Sequence, residues 1–527
     1  MTTPKVQESS SHAVGEDSRT PDFKDIRRRV TGLIVGLLLA VVIYLIFPDG
    51  AAERINDAYA EDGVDYTGNA MRITAAVAVL MGAWWMTEAI PLAATALVPL
   101  VAFPLLQVIE FGEVSSSYAE PTIFLFMGGF ILALGMQRWN LHRRLALTVV
   151  LAVGTQPKRL VLGFMLATGF LSMWVSNTAT AVVMLPIGMS VLQLTAETVG
   201  GMRNQRNFAT ALMLAIAYSA SIGSVGTIIG TPPNALLVAY MSNNHGIEIG
   251  FGQWMLVGVP IAVVFLIIAW LVLVTVFKPE MKEIPGGKEL IREEIKKLGK
   301  MHQPEAVTAI VFAGAALCWI FVPILIDNFG WSVTIADAAI GLAASLLLFI
   351  LPSGYKPGVK LMDWKTANDL PWDVLLLFGG GLALSKMFSE SGLSLWIGDL
   401  AQGLQVLPVI LLVAAVAALV LILTEFTSNT ATAATFLPIL AGVAVGIGLT
   451  EGGNEQNVLL LTIPVALAAT CAFMLPVATP PNAIAFGSGY VSIDNMIKGG
   501  IWLNLIAVVL TTITVYFIAI PVFGIVL

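Results

Sequence analysis

Long uncharged apolar runs alternate with short polar segments along this chain. Residues 30–47 (VTGLIVGLLLAVVIYLIF) and 253–277 hold no charged side chain. Each is long enough to cross a hydrocarbon layer about 30 Å thick as a helix of roughly 20 residues. The pattern predicts about eleven spans of this kind. They are 30–48, 71–89, 91–108, 121–138, 207–241 (interrupted), 253–277, 305–326, 335–352, 372–390, 457–490 (interrupted) and 500–525. Two further stretches, 159–195 and 406–447, carry small polar residues midway and read as apolar helical hairpins. Residues 138–159, 278–300 and 353–370 read as polar connections, with helical charge spacing and a solvated surface helix expected in 278–300. The fold class expected is an all-α polytopic membrane protein.

The polar interruptions repeat. SNTATAVVMLPI at 176–187 returns as SNTATAATFLPI at 428–439, nine of twelve positions identical, and GTPPNA at 230–235 returns as ATPPNA at 478–483. Phe126-Met127-Gly128-Gly129 aligns with Phe378-Gly379-Gly380-Gly381, and Pro186 with Pro438, at the 252-residue offset of the first pair. Five spans lie between the hairpins, an odd number, so the hairpins are expected to enter from opposite sides. An inverted repeat of this kind is common among secondary transporters, with the binding site where the repeats meet.

Composition agrees with a membrane protein and limits its chemistry. The chain is 57% hydrophobic and 12% charged over 527 residues, against about 25% charged residues in soluble domains. A net charge of −7 says less than where the charges fall. Seven Lys/Arg lie in 278–300, with others at Arg138, Arg143, Arg144, Lys158 and Arg159 and in 353–370, all on the side of Arg27-Arg28-Arg29. The positive-inside rule then predicts a cytoplasmic N-terminus and an extracellular C-terminus, and the location expected for this multi-pass protein is the plasma membrane. Residues 1–25 are polar and read as a disordered cytoplasmic tail. Cys318 and Cys471 lie in apolar runs and suggest packing rather than a disulfide or metal framework.

Thr231-Pro232-Pro233-Asn234 and Thr479-Pro480-Pro481-Asn482 should each stop one helix and start another, with Thr as N-cap and Pro in the first turn. Irregular backbone at that depth is tolerated where it is buried or lines a cavity. One copy alone could be a simple kink, and one SNT could be mere packing. Two matched sets make half-helix ends the better reading. Two hairpin tips and two breaks present up to four helix N-termini, each with free N–H groups and about half a positive charge, suited to an anion. No Lys, Arg or His lies in 160–195, 207–241, 406–447 or 457–490. A bound cation can supply the missing charge. Hydroxyls, Asn oxygens and freed carbonyls are hard ligands that suit Na+. At about 5 Å and an effective dielectric of about 20, one sodium attracts a unit anion by roughly 3 kcal/mol, and a helix end by about half that. Sodium binding would thus gate anion affinity, which is coupling. Glu425, beside the second cluster, can serve a cation or proton or else fix a turn, and the structural role is favoured; Glu88, in WWMTEAIP, is read the same way.

Together the paired SNT clusters, the paired TPPN breaks and WWMTEAIP at 84–91 resemble the divalent anion/sodium symporter family over about 30–527. The resemblance implies sodium-coupled symport of C4-dicarboxylates such as succinate, fumarate and malate, with Na+ as coupling ion. It implies an elevator-type homodimer with two re-entrant hairpins. One sodium would be held by Ser172, Ser176, Asn177 and Gly230. A second would be held by Thr424, Thr427, Ser428, Asn429 and Ala478. The dicarboxylate would lie among Asn177, Thr178, Thr231, Asn429, Thr430 and Thr479. The organisation implied is scaffold helices at 26–120 and 305–370, repeat cores at 121–277 and 371–527, and a cytoplasmic amphipathic connector at 278–304. Ser172 and Thr424, with no basic residue near, favour a symporter over an exchanger of the same fold. A sulfate or citrate carrier is a further alternative. A channel needs a continuous pore that closed hairpin tips oppose, and no nucleophile–base pair, metal cluster or nucleotide loop suggests an enzyme.

Overall fold

The computed structural model describes residues 23–526 apart from 59–64, 155, 285, 331 and 334. Most of the expected tail thus lies outside the described residues. Most of those described are helical, and nine of their helices are long and apolar enough to cross a membrane.

Several expected spans coincide with helices, two with the expected ends (121–138 and 372–390) and the others with shifted ends. They include Phe23–Ile46, Gly68–Thr87, Pro121–Arg138, Phe251–Val276, Gln303–Phe329, Asp337–Ile350 and Trp372–Glu390. The last span is longer than expected, running from Ile493 through a π-helical turn at Val515–Ala519 to Phe523. The third expected span, 91–108, is instead two short helices, Leu92–Thr95 and Val98–Leu105. Pro91, Pro99 and Pro104 crowd this stretch, and each removes a backbone donor and resists helical continuation. Conversely, 138–159 is not simply a connection, because Leu141–Val153 is a helix. Its charges hid it from a reading based on apolar length. They make specific contacts: Arg143 pairs with Glu294 at 2.7 Å, and Arg144 binds Glu305 and the Gly299 carbonyl. Glu294 lies on the connector helix Gly287–Lys297. The hydrogen bond from Lys297, at 2.5 Å, and the charge of Arg143 hold its carboxyl below the usual range, against the opposing effect of burial. Leu393–Leu400 and Phe111–Ser116 are further short helices not anticipated.

Glycines set the closest helix approaches. A Cβ on Gly223 would lie 2.1–2.5 Å from the backbone of Gly169, and one on Gly446 would lie 2.0–2.3 Å from Gly398. The repeated Phe-x-Gly-Gly motif is explained in the same way. Gly128 abuts the backbone of Gly341 in helix Asp337–Ile350, while its neighbour Gly129 abuts Ile229. Gly380 abuts the backbone of Ala96, while Gly381 abuts Ala434. Each glycine pair thus faces two different neighbours at once. Gly223→Ala is expected to destabilise the protein by about 1–3 kcal/mol or more, since backbone cannot move aside as a flexible side chain can. Thermal melting of the purified variant in detergent checks this, and an unchanged midpoint would show that the helices part without cost.

Candidate functional site

Four helix ends converge on each polar cluster. In the first, helix Pro157–Ser172 stops before Ser176-Asn177, and Asn177–Val199 starts there. Helix Arg206–Ser224 stops nearby, and Pro232–His245 begins after the break at 225–231. The second cluster repeats the plan with Val409–Thr424, Asn429–Gly446, Leu459–Ala469 and Pro480–Gly487. The clusters are interleaved: Asn177–Val199 packs on Pro480–Gly487, and Asn429–Gly446 packs on Pro232–His245.

In the first cluster Ser176 is the N-cap, accepting from Ala179 N at 3.3 Å. Asn177 Nδ2 donates to Ser224 Oγ at 3.3 Å, tying the turn to the end of the broken helix. The Thr227 hydroxyl donates to the Met173 carbonyl. Three buried oxygens are left without a partner: Ser172 Oγ, Asn177 Oδ1 and Ser221 Oγ. A buried polar atom without a partner costs about 1–3 kcal/mol. A set of neutral hard oxygens that costs this much suits a small cation. Gly230 permits the approach of the Ser224 carbonyl, which a Cβ would meet at 2.2 Å.

The second cluster is more closed. Thr424 Oγ1 lies 2.7 Å from Asn429 Oδ1 and 2.8 Å from Ala469 O, and its one proton serves one of them. Thr427 Oγ1 lies 2.6 Å from Thr432 Oγ1 and donates to Leu423 O. Ser428 occupies the N-cap position without a side-chain cap bond. Ala478 is buried, and its N–H donates to Leu475 O at 3.3 Å.

The two TPPN threonines also differ. Thr479 caps its helix, accepting from Asn482 N at 3.3 Å. Thr231 holds the N-cap position but makes no capping bond, contrary to expectation, and its hydroxyl lies 3.5 Å from Thr470 Oγ1. Thr430 is buried and Thr178 is exposed. The asparagines of TPPN shape the breaks, a role the sequence reading missed. Asn234 Nδ2 donates to the carbonyls of Val225 and Thr227, and Asn482 Nδ2 to those of Ala472 and Leu475, at 2.8–3.1 Å. Glu425 has the structural contacts expected. Its carboxylate accepts from the N–H groups of Phe473, Met474 and Leu475 and from Asn504 Nδ2. Glu88, by contrast, is half-exposed at a left-handed helix end and pairs with Arg28 at 3.1 Å.

The transmembrane region of the sodium:sulfate symporters matches residues 60–525. The chain belongs to that family. Among the symporters' curated members, a sodium-dependent dicarboxylate transporter of Staphylococcus saprophyticus, SdcS, is 44% identical over 506 residues, covering 94% of this chain and 92% of the relative. SdcS of Staphylococcus aureus strain USA300 is 45% identical over 455 residues, 85% of this chain and 86% of its own. The crystal structure of the Alcanivorax borkumensis YdaH transporter is a more distant likeness in fold alone. Its TM-score is 0.51 at 13% identity, covering 85% of this chain and 98% of that one. These symporter relatives are named as transporters, in keeping with a core of helix ends, hydroxyls and amides.

Proposed function

We propose that this protein is a sodium-coupled symporter that imports C4-dicarboxylates such as succinate, fumarate and malate. The observation that carries the reading is the duplicated helix-end cluster, rich in neutral oxygens and free of basic side chains, in a chain closely related to sodium-dependent dicarboxylate transporters. Ser172, Ser176, Asn177 and Gly230 form one sodium site in this reading. Thr424, Thr427, Ser428, Asn429 and Ala478 form the other. Asn177, Thr178, Thr231, Asn429, Thr430 and Thr479 receive the two carboxylates. The helix pairs at 159–195 and 406–447 act as re-entrant hairpins of an inverted repeat, with about eleven spans in all. They move with the broken helices, in an elevator manner, against a scaffold of 26–120 and 305–370. The protein works as a homodimer in the plasma membrane with a cytoplasmic N-terminus. If three or more sodium ions accompany a dianion, transport is electrogenic and each net charge gains about 2.3 kcal/mol per 100 mV.

Reconstituted protein is expected to take up labelled succinate into empty liposomes under an inward sodium gradient, and not with potassium or choline. Lithium should support it poorly, because the hydroxyl and carbonyl ligands set the size of the site. Uptake that needs internal dicarboxylate and ignores sodium would identify an exchanger. Sodium-driven uptake of sulfate or citrate in place of succinate would keep the coupling and change the cargo.

A further inference from the structure

The two helix breaks are braced by opposite chemistry. At the first, Trp254 Nε1, from the helix that follows, donates to the Val225 carbonyl at 3.0 Å. That carbonyl also accepts from Asn234. At the second, the helix that follows supplies Asn504, whose hydrogen bond goes to a side chain. Its Nδ2 donates to Glu425 Oε1 at 2.7 Å. Glu425 in turn accepts from Phe473 N at 2.8 Å, Met474 N at 3.0 Å and Leu475 N at 3.2 Å. Every partner of this carboxylate is a donor, and both it and Asn504 are buried. The residue 252 positions before Glu425 is Met173, so the first half has no such group. Gly226 and Met173 simply pack there.

We propose that Asn504 is a positioning residue for the second sodium site, acting through Glu425. The inference rests on the transport reading above and extends it to a residue outside the repeated motifs. The three N–H groups held by Glu425 belong to the strand of backbone between Ala469, whose carbonyl lies 2.8 Å from Thr424 Oγ1, and Ala478. Glu425 adjoins Thr424 in the chain. One carboxylate therefore fixes both walls of the second site, and Asn504 fixes the carboxylate. Removing a group that hydrogen-bonds a metal's own ligand commonly costs about 10–100-fold in affinity; Asn504 stands one step further out, so the lower end of that range is expected. The dicarboxylate makes no contact with Asn504 in this arrangement, so its own affinity at saturating sodium should be spared.

The test uses the full-length protein in detergent and in liposomes. The sodium concentration that gives half of the maximal thermal stabilisation is expected to rise about tenfold in Asn504→Ala. The KM for succinate at saturating sodium should change less than about twofold, and Asn504→Gln, which keeps a donor, should recover most of the sodium response. If the alanine variant does not fold, Asn504→Ser is measured in the same way. An unchanged sodium half-saturation in a folded variant, however much its sodium-free melting point falls, would make Asn504 a packing tie and overturn the proposal. If the parent protein shows neither sodium stabilisation nor sodium-driven uptake, the transport reading itself fails, and this is visible before any variant is compared.

Discussion

Asn177→Ala and Asn429→Ala should each abolish sodium-driven succinate uptake, lowering it at least about a hundredfold, while the protein still folds. The two effects separate because the asparagines do different work in folding and in binding. For folding, Asn177 contributes one neutral hydrogen bond, the 3.3 Å contact with Ser224. Such a bond is worth about 0.5–1.5 kcal/mol. Its other end, Oδ1, is buried without a partner, so part of that stability is offset and removing the amide relieves the offset. In the proposed site the same amide serves both sodium and carboxylate, so its loss acts on two coupled ligands at once. Asn429 differs in that its Oδ1 has a partner, Thr424 Oγ1 at 2.7 Å, but that contact too is a single neutral hydrogen bond. Uptake into liposomes and melting in detergent, made on the same preparations, separate the cases. Near-normal uptake by both variants would sink the site assignment.

Glu425→Ala should instead act on folding, with a loss of several kcal/mol. Removing the carboxylate leaves Phe473, Met474 and Leu475 N–H groups and the Asn504 amide facing apolar surroundings. Each buried donor left unpaired costs about 1–3 kcal/mol, though the terms do not simply add. The helix end at Leu459–Ala469 and the start of Pro480–Gly487 would then lose their common anchor. A large drop in melting temperature or failure to purify as a monodisperse species is expected. A variant that melts within a few degrees of the parent would show that water enters the break and satisfies these groups.

How far the sequence could show all this depended on the kind of signal. Breaks at Thr231 and Thr479 were legible because two prolines stop a helix by local sterics alone. The turns at Asn177 and Asn429 were legible because the same words occur twice. The helix Leu141–Val153 was not, since its charges are satisfied by Glu294 and Glu305 more than 150 residues away. The splitting of 91–108 gave a signal, its three prolines, that apolar length outweighed. Asn504 gave none: an isolated amide in an apolar run reads as helix packing until the carboxylate it holds is known. Glu425 was noticed as a buried acid, but its partners are backbone groups, and no side-chain pattern announces those.

The glycine pairs have a consequence for resistance to sliding. Gly128 and Gly129 touch Gly341 on one side and Ile229 on the other, and Gly380 and Gly381 touch Ala96 and Ala434. Gly128 rests on the backbone of Gly341 and Gly380 on that of Ala96, so no long side chain interlocks at these two points, whereas Gly129 and Gly381 meet the side chains of Ile229 and Ala434. Ridges of larger residues would act as teeth, holding two helices in discrete registers. In the elevator movement proposed above, the contacts at Gly128 and Gly380 would act as a plain bearing, close-fitting across the helices with no side-chain tooth between them.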